Sequence, residues 1–188
     1  MNIIETPIQD LLIIEPKVFG DERGYFMETF QARTFAEFEL PSNFVQDNHS
    51  YSARGILRGL HFQKQHPQGK LVRVIDGEVY DVAVDLRKDS ATYGQSYGLL
   101  LSGDNKRMFW VPAGFAHGFY VVSETAHFLY KCTDYYAPDY EMSIAWDDPE
   151  LGIDWPLVNG EPPQLSAKDQ LGVCLADAGG FNNGVYEP

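Results

Sequence analysis

Hydrophobic and polar positions along the chain rarely follow a helical period. Only Arg33 to Leu40 and a stretch near Ser166 to Gln170 read as short helices, the second with Ser166 as cap and Asp169 at the third helical position. Elsewhere the pattern is short runs rich in Val, Ile, Tyr and Phe, broken by Gly, Pro, Asn and Asp. Strands are predicted at Leu11–Ile14, Tyr25–Phe30, Lys70–Ile75, Glu78–Asp85, Tyr97–Leu101, Met108–Val111, Gly118–Val122 and Phe128–Tyr136. Asp76-Gly77 between two of these runs is a hairpin signal, because glycine tolerates the positive φ of a tight turn. In the run that follows, Tyr80, Val82 and Val84 share one face while Asp81 and Asp85 share the other. Pro112-Ala113-Gly114 separates two aromatic-rich strands. The fold class expected is all-β, a jelly-roll sandwich or barrel of the cupin type with a few short helices. The pattern alone also allows another β barrel.

Length and charge narrow the picture. A chain of 188 residues suits one domain spanning 1–188, with a core over about 3–170 and a tail over about 171–188. With 27 acidic and 14 basic side chains, the net charge is −13. Binding to nucleic acid or to an anionic membrane rests on neutralising phosphates, so neither is expected. Small anions stay open, since a local basic pocket can exist in an acidic envelope. No apolar run reaches the roughly 18–20 residues of a membrane-spanning helix, and no signal-peptide pattern opens the chain, so the expected compartment is the cytoplasm. Cys132 and Cys174 lie far apart with no CxxC or Cys/His pairing, which argues against a zinc site and a disulfide scaffold.

The charge is unevenly spread. From Asn48 to Ile75 there is no Asp or Glu, while Arg54, Arg58, Lys64, Lys70, Arg73 and three histidines fall there. That stretch is either a chance basic face or an anion pocket of diphosphate size, with Arg58 and Lys70 flanking His61. His61 sits in Leu57-Arg58-Gly59-Leu60-His61-Phe62-Gln63 and His117 in Pro112-Ala113-Gly114-Phe115-Ala116-His117-Gly118-Phe119. A lone histidine is more often structural than catalytic; two in aromatic, glycine-punctuated strands shift the balance. His49, His66 and His127 lack that context. The second run matches half of a cupin metal motif, but position 63 is Gln where the other half needs His, and a catalytic metal wants at least three protein ligands. Tyr130 alternates with Phe128 and Cys132 on one strand face, where it serves either core packing or proton donation.

These residues together resemble one family, the dTDP-4-dehydrorhamnose 3,5-epimerases of deoxysugar biosynthesis. The resemblance runs from about Leu12 to Asp169 in ordered blocks: 15–24, 44–50, 57–63, 69–73, 114–119, 130–131, 146–149 and 165–169. It implies a metal-free, cofactor-free jelly roll that works as a homodimer and inverts C3 and C5 of dTDP-4-keto-6-deoxyglucose on the way to dTDP-L-rhamnose. On the family pattern His61 is the base, Asp169 its partner, Lys70 the stabiliser of the enolate and Tyr130 the acid. Arg23, Glu28, Gln46, Asp47, Asn48 and Arg58 match positions that hold the nucleotide sugar, with Arg23 and Arg58 at the diphosphate. His117, Glu141 and Lys168 match further substrate contacts, and Tyr136 matches the aromatic that stacks on thymine. Three alternatives remain at this point: an epimerase acting at one carbon only, a non-catalytic nucleotide-sugar-binding cupin, and a metal-dependent cupin that Gln63 disfavours. Beyond Asp169, the segment from Gln170 to Pro188 matches no usable pattern and is expected to pack loosely.

Overall fold

Two antiparallel sheets face each other in a computed structural model that describes residues 1–188. In chain order the elements are β1 (Asn2–Glu5), β2 (Leu12–Glu15), β3 (Val18–Asp21), β4 (Gly24–Met27), α1 (Ala32–Glu37) and β5 (Gln46–Ala53). Then follow β6 (Leu57–Gln63), β7 (Lys70–Asp76), β8 (Glu78–Asp85), β9 (Ser96–Ser102), β10 (Met108–Val111), β11 (Phe115–Val121) and β12 (Thr125–Cys132). The chain ends with β13 (Glu141–Ser143), α2 (Leu175–Ala178), β14 (Gly180–Asn182) and β15 (Val185–Glu187). One sheet has the order β1-β2-β10-β7-β12-β5 and the other β13-β6-β11-β8-β9. From β5 to β13 the chain changes sheet at every connection except the β8–β9 hairpin, which is the jelly-roll arrangement expected from the short runs.

Alternation within each strand creates three apolar layers. Between the sheets lie Ile13, Val72, Val74, Val79, Ala83, Phe109, Phe119 and Phe128. The other face of the five-stranded sheet presents Leu57, Leu60, Phe62, Val82, Val84 and Tyr120 to a second core. The outer face of the six-stranded sheet is covered at one end by α1, whose Phe35 is fully buried with Ile14, Leu71 and Trp110. That helix begins where Gln31 accepts a hydrogen bond from the Thr34 backbone N–H at 3.0 Å.

Two expectations are corrected. Asp76-Gly77 is not a hairpin turn. β7 pairs with β10 and β12, whereas β8 pairs with β11 and β9, so the dipeptide is a corner between sheets. Gly77 has φ 81°, and a Cβ there would meet the Thr125 carbonyl oxygen at 2.0 Å. Hairpin and corner both need a left-handed residue, so the local signal is the same and only the pairing partners differ.

The C-terminal segment is not loosely packed. Leu175, Ala178 and Phe181 are buried in the second core beside Phe62 and Leu86. The Phe181 backbone N–H donates to the Leu86 carbonyl at 2.7 Å, and the Lys88 N–H to the Phe181 carbonyl at 2.6 Å. The five-stranded sheet is apolar on both faces, and this segment supplies the cover for one of them. No helix is long and apolar enough to cross a membrane.

Candidate active site

At one end of the barrel the sheets part around a cavity of about 310 Å³. The five-stranded sheet contributes Arg58, His61, His117 and Phe119, and the six-stranded sheet Gln46, Asn48, Ser50, Lys70, Phe128 and Tyr130, with Tyr136 and Glu141 also lining it. Six of the lining residues come from the acid-free stretch Asn48–Ile75, among them Arg58, His61 and Lys70, whereas Arg54, Lys64 and Arg73 of the same stretch do not line it.

His61 and His117 stand directly opposite each other on β6 and β11. Gly59 and Gly118 allow that closeness. A Cβ on Gly59 would lie 2.5 Å from the Gly118 Cα, and one on Gly118 would lie 2.6 Å from the Arg58 carbonyl oxygen. His61 Nε2 bonds Asp169 Oδ1 at 2.5 Å. Asp169 is itself held by Ser166, whose hydroxyl donates to Oδ2 at 2.8 Å and accepts from the Asp169 N–H at 3.1 Å. Ser166 thus holds Asp169, but it is not the cap expected of it: the element is a 3-10 turn at Asp169–Leu171 whose N-cap position is Lys168, without a side-chain cap. Burial pushes the Asp169 carboxyl up, but hydrogen bonds from His61 and Ser166, the charge of His61 and the Gly59 N–H outweigh it and hold Asp169 below the usual carboxylate range. A carboxylate so placed orients the ring and stabilises its charged form after proton uptake.

Tyr130 and Lys70 lie on the opposite wall. Burial raises the Tyr130 phenol, helped by Cys132 and opposed by Arg58, so the proton stays on oxygen and is available for donation. Burial lowers the Lys70 ammonium, with Cys132 and Asp81 opposing. Lys70 pairs in register with Cys132, and Tyr130 with Val72 and Asn48 on the neighbouring strands.

Tyr136, Glu141 and Lys168 form a cluster at the cavity edge. The Tyr136 hydroxyl donates to Glu141 Oε2 at 2.7 Å, and Lys168 forms an ion pair with Glu141 and donates to the Tyr136 oxygen at 3.3 Å. Arg58 is steadied by donating from Nε to the Ser52 hydroxyl at 2.9 Å. Gln63, the residue that breaks the metal motif, is buried. It donates to the His66 and Tyr135 carbonyls at 2.7 and 3.2 Å and accepts from the Ala137 N–H at 2.8 Å, fixing the loop that carries Tyr136.

Three residues matched by the family pattern lie outside the cavity. Asp47 points to the other face of the six-stranded sheet, as strand alternation next to Gln46 and Asn48 requires, and pairs there with Lys131 at 2.9 Å. Arg23 and Glu28 are exposed; Arg23 sits at the tip of the β3–β4 hairpin, bonded to Asp21. The sequence reading assigned no site role to Gln63, Ser52 or Asp81. Only Asp81 carried a signal, as an acid recurring inside an apolar strand.

Known proteins of similar sequence and structure identify the family. Residues 5–177 match the family model described as dTDP-4-dehydrorhamnose 3,5-epimerase. The chain belongs to that family. The epimerase of that name from Pseudomonas aeruginosa is 57% identical over 182 residues, covering 96% of this chain and 99% of the relative. The Salmonella typhimurium epimerase is 55% identical over 180 residues, with 95% and 97% covered. A crystal structure of the Legionella pneumophila 3,5-epimerase in complex with dTDP-4-keto-L-rhamnose superposes with a TM-score of 0.91 at 58% identity, covering 94% of each chain. ChmJ, a 3'-monoepimerase from Streptomyces bikiniensis in complex with dTDP-quinovose, superposes at 0.85 with 31% identity, covering 92% of this chain and 87% of that one. The fold is therefore the cupin-like jelly roll of these sugar epimerases, and the family is one of isomerases.

Proposed function

We propose that this protein inverts C3 and C5 of dTDP-4-keto-6-deoxyglucose, giving dTDP-4-keto-L-rhamnose for dTDP-L-rhamnose synthesis. The observation that carries the reading is the placement of a carboxylate-backed imidazole, His61, and a protonated phenol, Tyr130, on opposite walls of one cavity.

The C4 ketone acidifies the hydrogens on both neighbouring carbons, so the chemistry calls for acid and base rather than a redox partner. His61 takes the proton from the carbon. The electron pair of that C–H bond moves into the C–C bond, and the carbonyl pair moves to O4. Lys70 stabilises the charge growing on O4, an interaction that strengthens towards the transition state. The enolate then collapses to the ketone and takes a proton from Tyr130 on the face opposite His61, which inverts the centre. Tyr130 regains a proton from water and the His61 imidazolium releases one. Arg58 receives the diphosphate, with Gln46, Asn48 and His117 along the nucleotide sugar and Tyr136 against thymine. Lys168 and Glu141 complete the cavity edge.

A homodimer belongs to this reading. The β3–β4 hairpin exposes Phe19, Tyr25 and Phe26, and a second copy seated on it is the surface we assign to the dimer, bringing Arg23 and Glu28 into contact with a substrate. The reading also places the protein in the cytoplasm, where nucleotide sugars are made.

The similarity to a 3'-monoepimerase supports a second reading, inversion at C3 alone. Incubation with dTDP-4-keto-6-deoxyglucose in D2O, followed by NMR, separates the two. Deuterium at both C3 and C5 with the L-configured product is expected. Deuterium at one carbon only supports the second reading, and none at either removes both.

A further inference from the structure

The segment that carries Tyr136 lies outside every strand and helix from Thr133 to Ala137, and no backbone group of Asp134, Tyr135 or Tyr136 pairs with another backbone group. Glutamine side chains take the place of a ladder there. Gln68 donates to the Asp134 carbonyl at 2.8 Å, and the Tyr136 N–H donates to Gln46 Oε1 at 2.9 Å. Gln63 holds two residues at once. Its Nε2 donates to the Tyr135 carbonyl at 3.2 Å while its Oε1 accepts from the Ala137 N–H at 2.8 Å, so one amide brackets Tyr136 on both sides. The amide also donates to the His66 carbonyl at 2.7 Å, which engages both of its hydrogens. Opposite Gln63 on β13 stands Glu141, which accepts from the Tyr136 hydroxyl. Tyr136 is thus held at its backbone from β6 and at its phenol from β13, and its ring lines the cavity between.

We propose that Gln63 is a positioning residue of the nucleobase subsite: by bracketing Tyr136 it sets the place of the ring that meets thymine. The inference rests on the assignment of Tyr136 to thymine made above and extends it to a buried residue of β6. Stacking depends on the offset and separation of the two rings, so a ring fixed before the base arrives spares the cost of ordering it on binding. The chemistry of the bracket calls for an amide. A carbonyl and an N–H must be met by one side chain, and an amide carries both a donor and an acceptor. A carboxylate would face the His66 and Tyr135 carbonyls with no hydrogen to give. An aliphatic side chain would leave the Tyr135 carbonyl and the Ala137 N–H without these partners. The glutamine that stands where the cupin metal motif needs a histidine thereby serves the nucleotide instead.

The test is a double-mutant cycle on dTDP binding, measured by calorimetry on the full chain, with amide exchange at Tyr136 and Ala137 followed by NMR. In Gln63→Leu, exchange at both amides speeds up about tenfold, the size of a lost hydrogen bond. The same variant binds dTDP about tenfold more weakly, while inorganic pyrophosphate, which has no base, binds within about twofold of wild type. Tyr136→Ala also weakens dTDP binding, and adding Gln63→Leu to it costs nothing further, because no ring is left to place. A merely structural role would add its cost in both backgrounds. Equal losses of dTDP affinity in the two backgrounds, or wild-type exchange at Tyr136 and Ala137 in Gln63→Leu, overturn the proposal. Should Gln63→Leu fail to fold, Gln63→Glu replaces it: the carboxylate still accepts from Ala137 but loses the Tyr135 carbonyl, and wild-type dTDP affinity in that variant overturns the proposal. The two failures stay distinct. Wild-type dTDP affinity in Tyr136→Ala counts against the thymine assignment, whereas a Gln63 effect that survives the loss of Tyr136 counts against the positioning role alone.

Discussion

His61 and Asp169 are 108 positions apart in the chain and 2.5 Å apart in the folded protein. One lies mid-strand in β6 and the other on a 3-10 turn just before the C-terminal segment. The bond engages Nε2 and leaves Nδ1 as the ring nitrogen open for the base role proposed.

Replacing His61 with Asn therefore separates binding from chemistry. Solvent exchange at C3 and C5 should fall by about 10²–10⁴-fold, while affinity for dTDP stays within a few-fold of wild type. Calorimetry with dTDP and an NMR exchange assay provide the two readings. Full activity in this variant would return the protein to the class of nucleotide-sugar-binding cupins.

Tyr130→Phe removes the proposed acid and leaves the proposed base. Deuterium should still enter the substrate from the His61 side, since abstraction and return need no phenol. Inversion, followed as L-configured product, should drop about 100-fold or more. Equal loss of exchange and inversion would mean that Tyr130 acts in proton abstraction as well.

Lys70, the proposed enolate stabiliser, is buried at a cost to stability. Its folded pKa lies below the unfolded value of about 10.4, so the unfolded chain binds the extra proton between the two. Folding is thus penalised at neutral pH, and stability recovers as pH rises from the folded towards the unfolded value. Lys70→Met removes the penalty, with Tm at pH 7 expected to rise by about 2–4 °C. The pH dependence of stability between the two pKa values should flatten, and kcat should fall at least about 100-fold. A lower Tm in the variant would show that the ammonium stabilises the fold.

The C-terminal segment covers a sheet face, so its loss is not that of a tail. Phe181→Ala should cost about 3–5 kcal/mol, as for other buried phenylalanines, seen as a lower urea midpoint. Truncation after Leu171 should expose Leu57, Phe62 and Val82 and bring aggregation. A truncated chain with wild-type stability would contradict the packing described.

Local pattern carried much of this. Glu78–Asp85 and Met108–Val111 are strands with the bounds that alternation and turn residues indicate. The link between Ser166 and Asp169 and the cavity-lining residues of the stretch from Asn48 were legible too, because local hydrogen bonds and charge clusters depend on neighbours in sequence. β5 was not, since Gln46 to Ala53 is mostly polar: one side of that edge strand lines the cavity and the other faces outwards.

By itself the sequence determined the β class, the positions where the chain turns, the local sign of charge at the site and the histidine and tyrosine proposed for proton transfer. Only the tertiary structure decided that Asp76-Gly77 links two sheets and that Asp47, Arg23 and Glu28 stand away from the cavity of their own chain. It also placed Gln63 and Asp81 behind the residues that line the site, and Phe181 in a core. The physical reason is one of range. Propensity, alternation and capping are fixed within a few residues, whereas strand pairing, burial and the bond between Asp81 and His117 depend on segments dozens of positions apart.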